Sequence, residues 1–339
     1  MDLKEFGKTG KKVSPLGFGC MGISHAFGTP LSLEEGAEVI KKAYQMGYNF
    51  FDTAECYTGT NPDGTIAHNE DVVGLGIKGL PREKLFICTK TGVDFEDGKM
   101  LLDASRERIR KSCETSLKRL GTDYIDLYYL HRIDPKVEPE DVAATMGELI
   151  KEGKIKAWGI SCFNEDFLRR AHAVTPVTAV QEMYNMVNRG VEEKFELLEE
   201  LGITLVAYTP LAKGFLSGRY KERPTFDHVE DNRSSRYEFS EEGFNAYQQV
   251  LALIKEYADK KNASSTQICL AWEMAKRPYI FPIPGTRNEE HMLENLKSSD
   301  IVLTDEEVEA IDEAINNMNL KSSESMRKTN PYKDALKNK

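Results

Sequence analysis

No apolar run in this 339-residue chain reaches the length of a membrane span. A transmembrane helix and a membrane partner are therefore not expected. The opening Met1-Asp2-Leu3-Lys4-Glu5 has none of the apolar stretch of a secretory signal. The six cysteines are scattered and form no CxxC pair, which argues against a disulfide framework and against a metal site. A reducing, cytoplasmic setting is the expectation. Nor is there an excess of positive charge: the formal net charge of −10 argues against nucleic acid as the main partner. No linker, repeat or low-complexity segment divides the chain.

What is present is core material and a strict alternation. Hydrophobic residues make up 40%, enough for a large interior. Strand-like runs precede helix-like stretches almost throughout. Tyr48–Ala54 leads to Glu70–Lys78, Leu85–Lys90 to Asp103–Leu120, and Tyr124–His131 to Pro139–Glu152. Ile155–Ser161 leads to Asn164–Ala173, and Ala179–Tyr184 to Val191–Leu201. Ile203–Tyr208 leads to a long loop and then to Glu242–Lys261 and Ser265–Lys276, and Tyr279–Ile283 leads to Glu289–Leu296. With Val13–Cys20 and Ser32–Gly47 as the first unit, about eight units appear, the number that closes a (β/α)8 TIM barrel.

The early strands are near-continuous apolar runs, as in a parallel sheet buried on both faces. Gly121, Gly153 and Gly202 sit where helices end, and Asn164 and Ser265 where helices begin. Leu3–Phe6 and Lys12–Pro15 predict a short N-terminal β-hairpin. Residues Ala212 to Ser240, after the seventh strand, form a loop too long for an ordinary connection. One domain over 1–318 and a polar C-terminal tail over 319–339 are expected.

Gly17-Phe18-Gly19-Cys20-Met21-Gly22 matches the G-x-G-x-x-G dinucleotide fingerprint. That motif opens a helix at once, whereas the breaker-rich Ile23–Pro30 follows here. A first barrel strand with close backbone approach is the better account, and a Rossmann fold is the runner-up architecture.

Polar groups stand where apolar strands end. Asp52 closes one run, with Tyr57 shortly after it; Lys90 and His131 close two more. Each alone is an ordinary ion-pair member, buried histidine or tyrosine. Together, at strand C-termini, they form a catalytic set. A free tyrosine has a pKa near 10, and a nearby lysine ammonium favours the phenolate. Tyr57 is then the proton donor, Lys90 tunes it, Asp52 holds Lys90, and His131 polarises a carbonyl oxygen.

These residues give the chain a resemblance to the aldo-keto reductases. Asp52-Thr53-Ala54-Glu55-Cys56-Tyr57 resembles the family's Asp-x-Ala-x-x-Tyr, and Asn69-Glu70 its following helix start. Lys90 and His131 match its lysine and histidine, Gly159-Ile160-Ser161-Cys162-Phe163 its Gly-Ile-Ser-Asn-Phe, and Pro282–Arg287 its adenosine end. The resemblance runs from about Leu3 to Asn316.

It implies an extended nicotinamide cofactor across the barrel mouth, with a small-molecule carbonyl substrate. Ser161 and Gln181 would hold the carboxamide, and Tyr208 would stack beneath the ring. Leu211, Gly214, Leu216 and Ser217 would follow the pyrophosphate. Thr286 and Arg287 would contact the adenosine phosphate, and Glu294 and Asn295 the adenine. Arg287 favours NADP (NADPH) over NAD, because arginine clamps a 2′-phosphate, although a supporting family arginine is His291 here. Cys162 replaces the family asparagine, whose hydrogen bond is either missing or supplied by Asn185.

Phe27, Phe95 and Phe215 are candidates for an apolar pocket, and Arg132 for binding an acidic substrate or pairing with Asp134. The expected activity is NADPH-dependent reduction of an aldehyde or ketone, or the reverse alcohol oxidation. The alternative is a cofactor-binding, redox-sensing interaction subunit resembling potassium-channel β subunits. Oligomeric state is left open.

Overall fold

The computed structural model describes residues 2–96, 99–226, 231–318 and 320–321. The chain opens with the expected hairpin, β1 (Lys4–Glu5) against β2 (Lys12–Val13). The main sheet follows: β3 (Phe18–Gly19), β4 (Phe50–Asp52), β7 (Phe86–Thr91), β10 (Ile125–Leu130), β11 (Ile155–Ser161), β12 (Ala179–Met183), β13 (Thr204–Tyr208) and β14 (Ile280–Pro282). These eight strands pair in parallel in that order. The ring closes through backbone bonds from Gly17 N to Pro282 O (2.9 Å) and from Gly19 N to Pro284 O (3.2 Å). The fold is the expected barrel.

The fingerprint-like glycines have a packing reason. A Cβ on Gly19 would lie 2.7 Å from the Ile283 carbonyl oxygen, and one on Gly285 would lie 2.4 Å from the Gly19 oxygen. The first and last strands meet only because neither carries a side chain at that point.

Helices α1 (Leu33–Met46), α2 (Asn69–Ile77), α3 (Arg106–Leu120), α4 (Pro139–Lys151), α5 (Glu165–Val174), α6 (Phe195–Leu201), α7 (Glu241–Ala246), α8 (Gln248–Lys261), α9 (Ser265–Lys276), α10 (Glu289–Lys297) and α11 (Asp305–Asn317) surround the sheet. Asn164 caps α5 as expected, but α9 is capped by Ser264, not Ser265, in a box with Gln267. The helix expected over 242–261 breaks at Tyr247 into α7 and α8. Two hairpins were not foreseen, β5 (Thr58–Thr60) with β6 (Ile66–His68) and β8 (Val93–Glu96) with β9 (Lys99–Leu102); both rise above the strand ends. Among the described residues no helix is long and apolar enough to cross a membrane. The tail expected from 319 lies outside the described residues apart from 320–321, where the Lys321 carbonyl accepts from the Tyr247 hydroxyl at 2.6 Å.

Strand alternation sorts the side chains. Phe51, Ile87, Tyr128, Trp158, Val180 and Leu205 face the helices in one core. Phe50, Phe86, Leu127, Ala157, Ala179 and Val206 face the interior in another. Phe6, from the turn end of β1, seals the floor of that interior, its ring 4.6 Å from Phe86 and 5.0 Å from Phe281. Two residues on from this apolar layer, the interior positions become Asp52, Cys88, Tyr129, Gly159, Gln181 and Tyr208. Thus the same period that buries Phe50 and Ala179 below delivers Asp52 and Gln181 to the top.

Candidate active site

Asp52 ends β4, and its carboxylate is the hub of the site. Lys90 Nζ, projecting from β7, donates to Asp52 Oδ1 at 2.5 Å and to the Thr53 carbonyl at 2.7 Å. Gln181 Nε2, projecting from β12, donates to Asp52 Oδ2 at 2.8 Å. Lys90 also reaches the Tyr57 hydroxyl at 3.3 Å. His131, just beyond β10, turns its ring edge toward Tyr57, with centroids 5.8 Å apart. All four residues singled out in the sequence therefore meet at one mouth.

Local bolts explain why they meet. Thr53 Oγ1 bonds Asn69 at 2.6 Å, and Asn69 Nδ2 donates to the Cys20 carbonyl (2.9 Å) and Ser24 Oγ (2.8 Å). Glu70 accepts from Thr89 at 2.6 Å, next to Lys90. The Asn69-Glu70 pair is thus structural: it ties the start of α2 to three strand ends. Glu55 is held by Arg108 at 2.6 Å, which fixes the turn that carries Tyr57.

The electrostatics are uneven. Burial opposes the charge of Lys90, but Asp52 and Tyr57 outweigh it and hold the ammonium above its ordinary pKa. Burial drives the His131 imidazole well below its ordinary value, helped by Arg132 and Lys90, so the ring is neutral. The Tyr57 phenol departs from the expectation. Lys90 pulls it down as anticipated, but burial dominates and pushes it up to about 12. In this state Tyr57 is a protonated phenol, a proton donor and not a phenolate.

Two neighbours were not foreseen. His25 stacks on Tyr57 at 5.6 Å and 14°. Its Nδ1 lies 2.6 Å from the Thr58 carbonyl, which only accepts, so Nδ1 carries a proton. Cys56 Sγ lies 3.3 Å from His131 Nδ1. His25 lies in a loop with no pattern to mark it, and Cys56 stands in the sequence only as one of the variable positions between Asp52 and Tyr57.

A second polar zone lies along the ends of β11 to β14. Ser161 is buried, and its Oγ accepts from Arg132 at 3.1 Å. Tyr208 OH is 3.5 Å from Cys162 Sγ. After β13 the backbone turns left-handed at Thr209, Ala212, Lys213 and Gly214. Leu211 and Leu216 pack in this turn, and Ser217 Oγ donates to the Gly214 carbonyl at 2.6 Å. Thr286 Oγ1 caps the turn at Asn288 N (3.1 Å), and Arg219 pairs with Glu294.

Arg287 donates from Nε to the Gly22 carbonyl (2.6 Å) and from Nη1 to the Thr29 carbonyl (3.0 Å), tethering the loop after β3. Its Nη2 is buried with no hydrogen-bond partner. His291 is held below its ordinary pKa by burial and by Arg219, and is uncharged at neutral pH.

Some of the expected residues sit in unexpected settings. Asn295 is 3% exposed and its side chain faces the Tyr48 hydroxyl. Asn185 donates one amide N–H to the Thr209 carbonyl at 2.9 Å, holding the turn. Phe27, Phe95 and Phe215 form no common pocket. Phe27 lies between Lys213 and Arg233, Phe95 is 44% exposed on β8, and Phe215 is core against Phe239 and Phe244. Asp134 accepts from the Ala104 and Lys136 amides, and Arg132 donates to the His131 carbonyl at 2.6 Å.

A buried lysine–carboxylate pair lies beside a phenol and a neutral imidazole at the C-terminal mouth of the barrel, a set of groups chemically able to move a proton. The Aldo/keto reductase family model matches residues 15–316. The chain belongs to the aldo/keto reductase family. It is 38% identical over 317 residues to "Probable aldo-keto reductase 1" of Glycine max, covering 92% of this chain and 88% of that one. It is 37% identical over 309 residues to "Aldo-keto reductase str7" of Strobilurus tenacellus, covering 88% of each. Among solved structures it resembles the glycerol dehydrogenase AKR11B4 of Gluconobacter oxydans, with 27% identity and a TM-score of 0.80 over 91% of this chain and 93% of that one. An aldo-keto reductase is an oxidoreductase that acts on small carbonyl or alcohol substrates with a nicotinamide cofactor.

Proposed function

We propose that this aldo-keto reductase is an NADPH-dependent carbonyl reductase in which Tyr57 protonates the substrate oxygen. The observation that carries the reading is the Lys90 ammonium, locked on Asp52 at 2.5 Å and 3.3 Å from the Tyr57 hydroxyl. When bound, NADPH supplies the hydride. Tyr57 gives its proton to the oxygen as negative charge grows there, and Lys90 stabilises the phenolate left behind. His131, being neutral, offers an N–H to the same oxygen without competing for the proton. Running backwards, the phenolate accepts the proton of an alcohol.

Arg287 supports the choice of NADPH: a buried, unpartnered N–H suits a phosphate oxygen. The Arg233 charge also acts on Arg287, concentrating positive charge there. The left-handed turn at Ala212–Gly214, with Leu211, Leu216 and Ser217, suits a pyrophosphate. Ser161 and Tyr208 suit the nicotinamide end. Gln181 spends its amide nitrogen on Asp52, so its Oε1 is the atom for a carboxamide N–H. Thr286 and Glu294 suit the adenosine end, with the more deeply buried Asn295 behind Glu294. Six unpaired thiols support a reducing, cytoplasmic setting.

Tyr57→Phe tests the acid. Turnover should fall by at least about a hundredfold, with NADPH affinity, read by fluorescence titration, nearly unchanged. Wild-type kcat in that variant would overturn the assignment. Comparing kcat/KM for NADPH and NADH tests the cofactor; equal or better use of NADH would reject the preference. Tight NADPH binding with no measurable turnover of any aldehyde, ketone or quinone would favour the sensing subunit instead.

A further inference from the structure

His131 can polarise a carbonyl oxygen only if the nitrogen facing the substrate carries the proton. A neutral imidazole has one N–H and one lone pair. With the proton on Nδ1, Nε2 would present a lone pair to another lone pair, and the contact would repel. Something must choose the tautomer, and in metal and catalytic histidines that choice is made by the partner of the other nitrogen.

The partner of Nδ1 is Cys56. Its Sγ is 3.3 Å from His131 Nδ1, and both side chains are buried. The thiol is placed by a stiff turn: Glu55 N donates to the Lys90 carbonyl (3.3 Å), Glu55 is clamped by Arg108 (2.6 Å), and Thr58 N returns to the Cys56 carbonyl (3.0 Å). Around the imidazole stand the Tyr57 ring, the Lys90 ammonium, the Arg132 guanidinium and His25, and three of these are cationic or can become so. That surround disfavours a protonated ring, so the tautomer question is the one that matters.

Burial pushes the Cys56 thiol up to about 12, so at working pH it keeps its hydrogen. A thiol is a weak donor and a weaker acceptor. Against a basic imidazole nitrogen it donates. Sγ–H pointing at Nδ1 leaves the ring proton on Nε2.

We propose that Cys56 is a positioning residue that holds His131 in the Nε2–H tautomer, through a hydrogen bond from its thiol to Nδ1. The residue does not touch the reacting atoms and is not a nucleophile. The inference rests on the carbonyl-reductase reading for its purpose, but the tautomer itself is a property of the free protein. It predicts that a hydroxyl at position 56 is a working substitute and that a hydrocarbon side chain is not.

Long-range 1H–15N correlation spectra of the 15N-labelled full-length protein read the tautomer directly, with no substrate. Wild type and Cys56→Ser should both show His131 protonated at Nε2. Cys56→Val, which fills the site with hydrocarbon and has no donor, should show a mixture or the Nδ1–H form. In parallel, Cys56→Val should lose about tenfold in kcat/KM for a carbonyl substrate, the size of one substrate hydrogen bond. Its NADPH affinity should be unchanged, and Cys56→Ser should recover most of the rate.

If Cys56→Val keeps a pure Nε2–H ring, or the wild type carries its proton on Nδ1, the proposal fails. If the spectra behave as stated but the wild type reduces no carbonyl, the tautomer control stands and the function reading falls. Should Cys56→Val not fold, Cys56→Ala gives the same spectroscopic test, read against Cys56→Ser.

Discussion

Glu273, on the inner side of α9, is fully buried, and neither of its carboxyl oxygens has a hydrogen-bond partner. Burial raises its pKa well above the ordinary 4.5. The folded chain therefore holds a proton there that the unfolded chain releases. Stability falls as pH rises from about 4.5 toward the folded value, and the cost is fully present above it. Glu273→Met should stabilise the protein by about 1–3 kcal/mol at pH 8, and by less at pH 5. Urea midpoints of variant and wild type at the two pH values check this; a gain that did not grow with pH would remove the account.

The residue scale is also where sequence reading was most selective. Asp52, Tyr57, Lys90 and His131 were legible because polar groups at the ends of apolar strands have few other reasons to be there. Gln181 was expected near the site only from the family resemblance, and its bond to Asp52 was not expected: it crosses the barrel interior from β12 to β4, and only the closed ring brings them together. Asn295 shares its motif with Glu294 yet sits a helical step away, on the buried side. The sign of the Tyr57 shift was also out of reach, since it depends on how deeply the ring is enclosed.

Among the elements, β3 is short and carries more of the fold than its length suggests. It joins the two ends of the sheet, and the strand pair tolerates no Cβ at Gly19, where one would sit 2.7 Å from the Ile283 carbonyl. Backbone on both sides cannot step aside. Gly19→Ala should cost about 1–3 kcal/mol, seen as a lower urea midpoint. Gly22→Ala, where a Cβ meets only the Phe27 ring at 3.4 Å, is the control and should be nearly neutral. Equal effects at the two positions would contradict the closure argument.

Alternation of strand and helix made the barrel readable, because period and length differ between the two. The hairpins β5–β6 and β8–β9 were missed for the opposite reason. Each strand is three or four residues long, too short for a pattern, although Asn61-Pro62-Asp63-Gly64-Thr65 is a turn sequence and Asp63 does cap Thr65 at 2.9 Å.

On the scale of the whole molecule, the Asp52–Lys90 pair is a structural tie. Asp52 receives Lys90 from β7 and Gln181 from β12, so one carboxylate links three barrel strands through the interior. The price of that arrangement is a charge that cannot be left alone. Lys90→Met should remove the ammonium from Tyr57 and strand the Asp52 carboxylate in a site where it is 2% exposed. Breaking a buried pair from one side costs about 3–5 kcal/mol, and losing the group that supports the acid costs turnover of about a hundredfold or more. The double variant Lys90→Met/Asp52→Asn separates the two effects. It replaces the stranded charge by an amide that Gln181 can still meet, so most of the stability should return while turnover does not. Thermal and urea unfolding beside steady-state rates make the comparison. Recovery of both together would mean that the pair acts only through the fold. Loss of activity without loss of stability in Lys90→Met would mean that Asp52 carries no buried charge to strand.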